Sequence, residues 1–373
     1  MKSGRCAAVI MAGGFSSRMK RFKPLLPVGD ETITDRLISL FWRNNVDVFL
    51  VVGWKKEELI AGIKNHDVRI VENPNFQMGM FSSVQAGLRQ VLAGEYPAVF
   101  IHPVDIPLIR PYTIRRLLEA AESNSGTFFY PSCGAKRGHP PLIPIEMVPT
   151  ILDWQREGGL KDFLEIYDGL AYEVRVPDLY SHLDIDTPAD YEDLLERFCH
   201  YEIPEKEEIE VILSDIRSMP PDRVRHCYKV AEVADNLGKA LTMAGEKADL
   251  DLVRAASILH DIAKGQKDHA RAGGNLLVEM GFNKVGNIVS AHSDLPDGLK
   301  GSSLETKIVY LADKFVSGEN LVTIEQRYDQ ALERFSAIEN IKNEILKRRE
   351  GAFQVENEFE SSLGYPLERI VFV

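Results

Sequence analysis

The spacing of apolar residues changes once along the chain, near residue 200, and this change limits the fold more than any other feature. Before it, short apolar runs at 7–11, 46–52, 68–71, 98–102 and 127–130 read as strands, and segments at 34–44, 57–64, 82–92 and 112–123 carry helical spacing. Such alternation predicts an α/β domain built on a mostly parallel sheet covered on both faces, with its ligand beyond the carboxyl ends of the strands. A closing helix is expected at 190–200, followed by a charged, proline-bearing linker. Beyond it strand signals nearly vanish. Helical periodicity runs through 207–218, 223–241, 249–262, 268–280, 284–292 and 304–317, so the second half reads as an all-α domain. Residues 324–349 read as one long charged helix, most simply a solvated face or a dimer contact, and 369–373 as a strand. The expected domains are 1–200 and 205–320, with a helical extension and tail over 321–373. At about 100–200 residues per domain, 373 residues fit this division.

Between the first strand and the first helix lies Met11-Ala12-Gly13-Gly14-Phe15-Ser16-Ser17-Arg18, with Lys23 following. Paired glycines let a backbone approach a ligand closely and take up positive φ. Backbone N–H groups there can hold phosphate oxygens, and Arg18 and Lys23 supply charge against a triphosphate. The loop lacks the GK[ST] ending of a P-loop and is not GxGxxG, which argues against P-loop ATPases and nicotinamide dehydrogenases.

The loop resembles the A-G-x-x-S-x-R-M-x-x-x-K signature of molybdenum cofactor cytidylyl- and guanylyltransferase-like NTP transferases. Four further segments match in order: Asn75 to Leu88, Asp105-Ile106-Pro107, Gly138-His139-Pro140, and Asp184-Ile185-Asp186-Thr187-Pro188-Ala189-Asp190. The resemblance covers the first half of the chain and implies a Rossmann-like nucleotidyltransferase fold. It implies that CTP or GTP gives up a nucleoside monophosphate to a phosphate-bearing acceptor, molybdopterin first, with pyrophosphate release. The Ala12-Gly13-Gly14 loop looks guanylyl, and the other segments look cytidylyl. Ala12, Gly13, Gly14, Arg18, Lys23, Ser83 and Asp105 would bind the nucleotide, Ser83 alternatively only capping its helix. Arg18, Lys23 and Asp105 would carry catalysis. Asp105 would hold Mg²⁺ at its strand end with Asp184 or Asp186, which strand alternation places on one face with Ile185 opposite. His139 at an acceptor site competes with a plain loop histidine.

The helical half resembles the HD superfamily of metal-dependent phosphohydrolases over residues 205–320. The match rests on His226, His260-Asp261 and Asp313, with His269 and His292 similar to the added ligands of two-metal members, although Ser293 stands where a second histidine is usual. Imidazole and carboxylate ligands together suit Mn, Fe, Ni, Co or Zn, and Lys264 would sit near the substrate phosphate. The alternative is a sugar- or alditol-phosphate nucleotidyltransferase with a regulatory or dimerising HD domain.

Composition narrows the partners. With 44 Lys+Arg against 56 Asp+Glu the net charge is −12, unsuited to a nucleic acid backbone, so none is expected as a partner. No apolar run approaches the ~18 residues of a membrane span, and the N-terminus lacks a signal-peptide core. Four scattered cysteines, Cys6, Cys133, Cys199 and Cys227, without CxxC pairs, read as reduced thiols. A cytoplasmic enzyme is expected, with a homodimer among the assemblies allowed. His66 and His200 read as surface residues.

Overall fold

The structure, a computed structural model, describes residues 4–64, 68–124, 126–295, 301–335 and 338–372. His66 lies outside the described residues. The chain divides into two compact units, Met1–Tyr201 and Glu202–Val373.

In the first unit the strands run in the spatial order Ala171–Arg175, Phe128–Cys133, Leu142–Pro144, Ala98–Pro103, Ala7–Met11, Asp47–Val52 and Arg69–Glu72. The central strand Ala7–Met11 pairs in parallel with Asp47–Val52 on one side and Ala98–Pro103 on the other. All five of its residues are buried, as a strand covered on both faces requires. The expected parallel sheet is present, with Leu142–Pro144 inserted antiparallel between two of its strands. That strand carries only Leu142, Ile143 and Pro144, too few for its spacing to be read from sequence.

Strand order reverses at Ala7–Met11, since the next strands in sequence lie to one side of it and Ala98–Pro103 to the other. This is the switch point at which an open α/β sheet leaves a crevice beyond its carboxyl ends. Helix Met80–Leu92 packs over this centre, and Gly87 lets it close on the sheet: a Cβ there would lie 2.3 Å from Val9 Cγ1. Helix Pro188–Cys199 closes the unit. It opens with proline at its first turn and a capping box between Thr187 and Asp190.

The second unit is helical. Helix Pro221–Met243 buries Cys227, Val230, Ala231, Ala234, Leu237, Gly238 and Leu241, a stripe at three- and four-residue spacing. Helices His269–Met280 and Asn283–Ala291 cross closely at two glycines, where a Cβ on Gly274 would stand 2.5 Å from the Gly286 carbonyl oxygen.

The structure departs from the sequence pattern at several elements. Residues 207–218 form an α-helix, Lys206–Val211, that runs on as a π-helix over Ile212–Ile216. The second half also contains a two-stranded hairpin, Val316–Ser317 with Asn320–Leu321, turned by Gly318 at φ 62°. Residues 324–349 are not one helix. Ile324–Arg334 ends at Phe335, and a second helix, Glu339–Leu363, follows. Nor are they a simple solvated face, because Ile324, Tyr328 and Ile345 are buried. The tail expected as a strand is the helix Glu368–Val371, whose backbone bonds to its own preceding turn.

Candidate functional sites

The first site lies at the switch point. The loop after Ala7–Met11, the segment after Ala98–Pro103, the start of helix Met80–Leu92 and the approach to helix Pro188–Cys199 line one cleft. It brings together Ala12, Gly13, Gly14, Arg18, Lys23, Ser83, Asp105 and Asp186. The loop glycines act differently from expectation. Neither takes positive φ; Ser16 and Lys20 do, at 51° and 55°. Gly13 is needed for close packing, since a Cβ would approach the Gly53 nitrogen to 3.2 Å and its carbonyl accepts from the Trp54 N–H at 3.2 Å. Gly14 lines the cleft, and a Cβ built on it would meet none of the described residues within 4 Å.

Lys23 is the focus of the cleft's charges. Its side chain is only 8% exposed, and its Nζ lies 3.5 Å from Asp105 Oδ2 and 3.3 Å from Asp186 Oδ1. Arg18 Nη1 reaches the other Asp186 oxygen at 2.9 Å. The Lys23 backbone N–H donates to Ser16 Oγ at 3.2 Å, which ties the end of the loop to its middle. Burial raises the Asp105 carboxyl above its ordinary value; Lys23 counters this, while Asp186 and Asp184 reinforce it.

Asp184 and Asp186 do not lie on a strand. The segment is extended coil, pinned where the Ile185 N–H donates to the Asp105 carbonyl at 2.9 Å with Ile185 buried. Asp186 enters the cleft. Asp184 does not line it, although it bears electrostatically on both Asp105 and His139. Asp190 Oδ2 accepts the N–H groups of Asp186 at 2.9 Å and Thr187 at 2.7 Å, and these bonds hold its carboxyl below the usual range. Asp190 therefore positions Asp186, a role the Thr187-Pro188 capping pattern signals. Asp190→Ala is expected to cost about 1 kcal/mol of stability through the lost cap. It should also weaken nucleotide binding several-fold, checked by thermal melting and titration calorimetry.

Ser83 is buried inside its helix rather than at its cap and accepts from Asn73 Nδ2 at 3.0 Å. His139 lies near fully buried His102, their ring centroids 6.4 Å apart. Burial depresses both histidines, His102 to about 3, so His102 is neutral. Cys133 is buried with a free thiol.

The second site is in the helical unit. His226 sits beside the buried stripe of its helix, and His260 and Asp261 follow the end of Leu250–Leu259. His269 opens one of the two crossing helices, His292 ends the other, and Asp313 is near the end of Leu304–Lys314. These six side chains converge. The candidate ligand atoms of His226, His260 and Asp261 lie within 4.8 Å of one another, as do those of Asp261, His269 and His292. Asp261 is shared: its Oδ2 lies 3.7 Å from His260 Nε2, and its Oδ1 3.3 Å from His269 Nε2 and 3.7 Å from His292 Nε2. Asp313 Oδ1 joins the first group, 3.5 Å from His226 Nε2 and 3.6 Å from His260 Nε2. Ser293 Oγ lies 3.5 Å from His269 Nε2 and 3.3 Å from His292 Nε2.

Three of the rings are oriented from behind. Nδ1 of His226 meets the Gly318 carbonyl, that of His260 the Ser257 carbonyl and that of His292 the Val289 carbonyl, each at 2.7 Å. An Nδ1–H committed in this way leaves Nε2 with a lone pair aimed at the centre. Among the described residues His260 Nε2 is buried without a hydrogen-bond partner, and burial depresses the ring to about 4. A buried, neutral, unpartnered imidazole nitrogen facing carboxylates fits a divalent metal. Burial pulls His226 down, but the Asp313 carboxylate outweighs it and raises the ring above its ordinary value. Asp261 and Asp313 are held well below the carboxylate range despite burial, Asp261 by its histidines and Lys264, Asp313 foremost by Lys314 and Arg327.

Lys264 lies 3.0 Å from Asp261 Oδ2. Two cations were not apparent from sequence. Buried Lys314 is 2.9 Å from Asp313 Oδ2, and Arg327 Nη2 is 3.5 Å from the same oxygen. Adjacency to Asp313 signals Lys314; Arg327 belongs to a helix whose charges looked merely solvated.

Comparison with known proteins agrees with this division. Residues 8–174 match the MobA-like NTP transferase domain, and residues 223–318 match the HD domain. The molybdenum cofactor cytidylyltransferase of Escherichia coli (strain K12) is 27% identical over 191 residues, covering 51% of this chain and 95% of that protein. An uncharacterised protein of Methanocaldococcus jannaschii is 29% identical over 136 residues, covering 32% of this chain and 80% of its own. Among solved structures, a nucleotidyl transferase from Methanothermobacter thermautotroptrophicus is similar at 21% identity and a TM-score of 0.47, covering 53% of this chain and 99% of that one. Among the described residues no helix is long and apolar enough to cross a membrane.

Proposed function

From a chain that carries a MobA-like NTP transferase domain followed by an HD domain, we propose a bifunctional enzyme. Its first site transfers CMP from CTP to a phosphate on a molybdopterin-type acceptor. Its second site hydrolyses a phosphoester with divalent metal. The observation that carries the first reading is Lys23 held between Asp105 and Asp186 at the carboxyl ends of the sheet. Two carboxylates that converge on a cation suit Mg²⁺, which binds through one or two carboxylates together with substrate phosphates.

In this reading the loop from Ala12 to Arg18 cradles the triphosphate, with Gly14 leaving room for it, and Arg18 and Lys23 bind its oxygens. Ser83, fixed by Asn73, faces the nucleoside. Asp105 and Asp186 would hold Mg²⁺, which supplies neutralisation of the charge that builds on the phosphates. An acceptor phosphate oxygen bonds to the α-phosphorus, the bond to the β-bridging oxygen breaks, and pyrophosphate leaves with that electron pair. The acceptor is already ionised, so no general base is needed; rate comes from alignment and charge stabilisation.

At the second site His226, His260, Asp261 and Asp313 would hold one ion, and Asp261, His269 and His292 another. Such ions would supply a hydroxide nucleophile at neutral pH and polarise the phosphate. Lys264 binds a phosphate oxygen. Oxygen from water bonds to phosphorus, the ester P–O bond breaks, and the leaving oxygen takes up a proton.

CTP as donor is favoured by the relative from Escherichia coli, whose name specifies cytidylyl transfer. GTP is the second choice on the strength of the Ala12-Gly13-Gly14 loop. Calorimetry with CTP, GTP, ATP and UTP in Mg²⁺ tests this. CTP is expected to bind at least about tenfold more tightly than the others, a difference of roughly 1.4 kcal/mol. Preference for GTP would change the base, and absence of binding by all four would overturn the transferase reading.

A further inference from the structure

Resting on the phosphohydrolase reading of the helical unit, we infer that helix Ile324–Arg334 builds a second anion subsite beside the metal-ligand cluster. The substrate is then a phosphoester that carries a second phosphate, rather than a simple phosphomonoester. This helix lies beyond the residues that match the HD domain, which end at 318.

Its residues sort by sign. Ile324 and Tyr328 face the core. Glu325, Asp329 and Glu333 form an exposed stripe at four-residue spacing, outside the cleft. Arg327, Gln330, Ala331 and Arg334, at three- and four-residue spacing, line the cleft over His226 and Asp261. A helix that is solvated without preference would not divide its charges this way, least of all in a chain of net charge −12.

The two arginines stand at different depths. Arg327 Nη2 is 3.5 Å from Asp313 Oδ2, at the edge of the cluster. Arg334 is seven residues on, about 10 Å further along the helix axis at 1.5 Å per residue. Its guanidinium lies 5.4 Å over the Phe335 ring, which also lines the cleft. Arg223 adds a third cation, its Nη1 donating to the Lys264 carbonyl at 3.1 Å. The cleft also holds Asp222 and Glu319, the latter already paired with Arg225 at 2.7 Å. A single phosphate at the cluster engages Lys264 and Arg327 and leaves Arg334 without a role; a second phosphate several ångströms away engages it.

The test compares p-nitrophenyl phosphate with adenosine 3′,5′-bisphosphate, using Mn²⁺-loaded full-length protein and its Arg334→Ala and Arg334→Lys variants. Arg334→Ala is expected to raise KM for the bisphosphate about tenfold, the loss of one charge-assisted contact. It should leave kcat and both constants for p-nitrophenyl phosphate unchanged, and Arg334→Lys should recover part of the loss. An equal effect on both substrates, or none on either, overturns the subsite. If no phosphoester is turned over, the hydrolase reading fails, and equilibrium binding still decides the subsite. In a Lys23→Ala background that disables the nucleotide cleft, the protein should bind adenosine 3′,5′-bisphosphate about tenfold more tightly than inorganic phosphate. Arg334→Ala should erase that ratio; equal affinities without the substitution would overturn the inference.

Discussion

Asp105→Asn is expected to lower nucleotidyl transfer by about 10²–10³-fold, the range lost when one preorganised charge-stabilising group is removed. The fold should not suffer with it. Burial lifts the Asp105 carboxyl above its ordinary value. A carboxyl whose folded-state pKa is raised holds its proton more tightly folded than unfolded, so its contribution to stability falls as pH rises through that range. At neutral pH the ionised side chain therefore costs stability, and asparagine, uncharged at every pH, removes that cost. The expected pair of results is a large loss of rate with a melting temperature at neutral pH equal to or above that of the unsubstituted protein. The difference in melting temperature should shrink toward pH 4. A rate within threefold of the unsubstituted protein would remove Asp105 from the chemistry. Measuring melting and transfer on one preparation separates lost function from lost fold.

Asp261→Ala is expected to empty both groups of metal ligands at once, because one oxygen of this carboxylate faces each group. Metal analysis should show two ions per chain falling to well under one, with phosphoester hydrolysis lost by about 10³-fold or more. Asp313→Ala should spare the second group and His292→Ala the first, each leaving about one ion, since each faces only one group. Retention of both ions by Asp261→Ala would refute the shared arrangement.

Legibility from sequence followed the chemistry. The loop after the first strand, Asp105, and the ordered histidines and aspartates stand out in the sequence through their resemblance to two families, and the structure brings each set together. The convergence of His226, His260, Asp261, His269, His292 and Asp313 followed from one ordered pattern. What escaped was set by tertiary contact. Gly13 has the right residue type for a reason other than the expected one: it packs against Gly53 instead of supplying positive φ. Asp186 was ambiguous with Asp184 because the choice depends on a capping bond from Asp190, not on strand alternation. The hairpin that delivers the Gly318 carbonyl to His226 has two residues per strand, too short for any periodicity. The long charged pattern from 324 to 349 hid both a helix break and a turn of Arg327 toward Asp313, since charge alone does not say which face meets a neighbour.

The position of Lys23 bears on the order of events in the first cleft. Its ammonium is a built-in counter-ion, 3.5 Å from Asp105 Oδ2 and 3.3 Å from Asp186 Oδ1. Under the proposed function, a metal–triphosphate complex would bring a cation for the carboxylates and an anion for the ammonium. On the proposed reading, a metal held by Asp105 and Asp186 would take over the two carboxylates, and the Lys23 ammonium would be left to pair with a phosphate oxygen. A free metal would compete with the Lys23 ammonium for the carboxylates, and a free triphosphate would meet two carboxylates facing inward. A cleft so arranged would favour metal and nucleotide entering together, because either alone would leave one side of the Lys23 ion pair uncompensated.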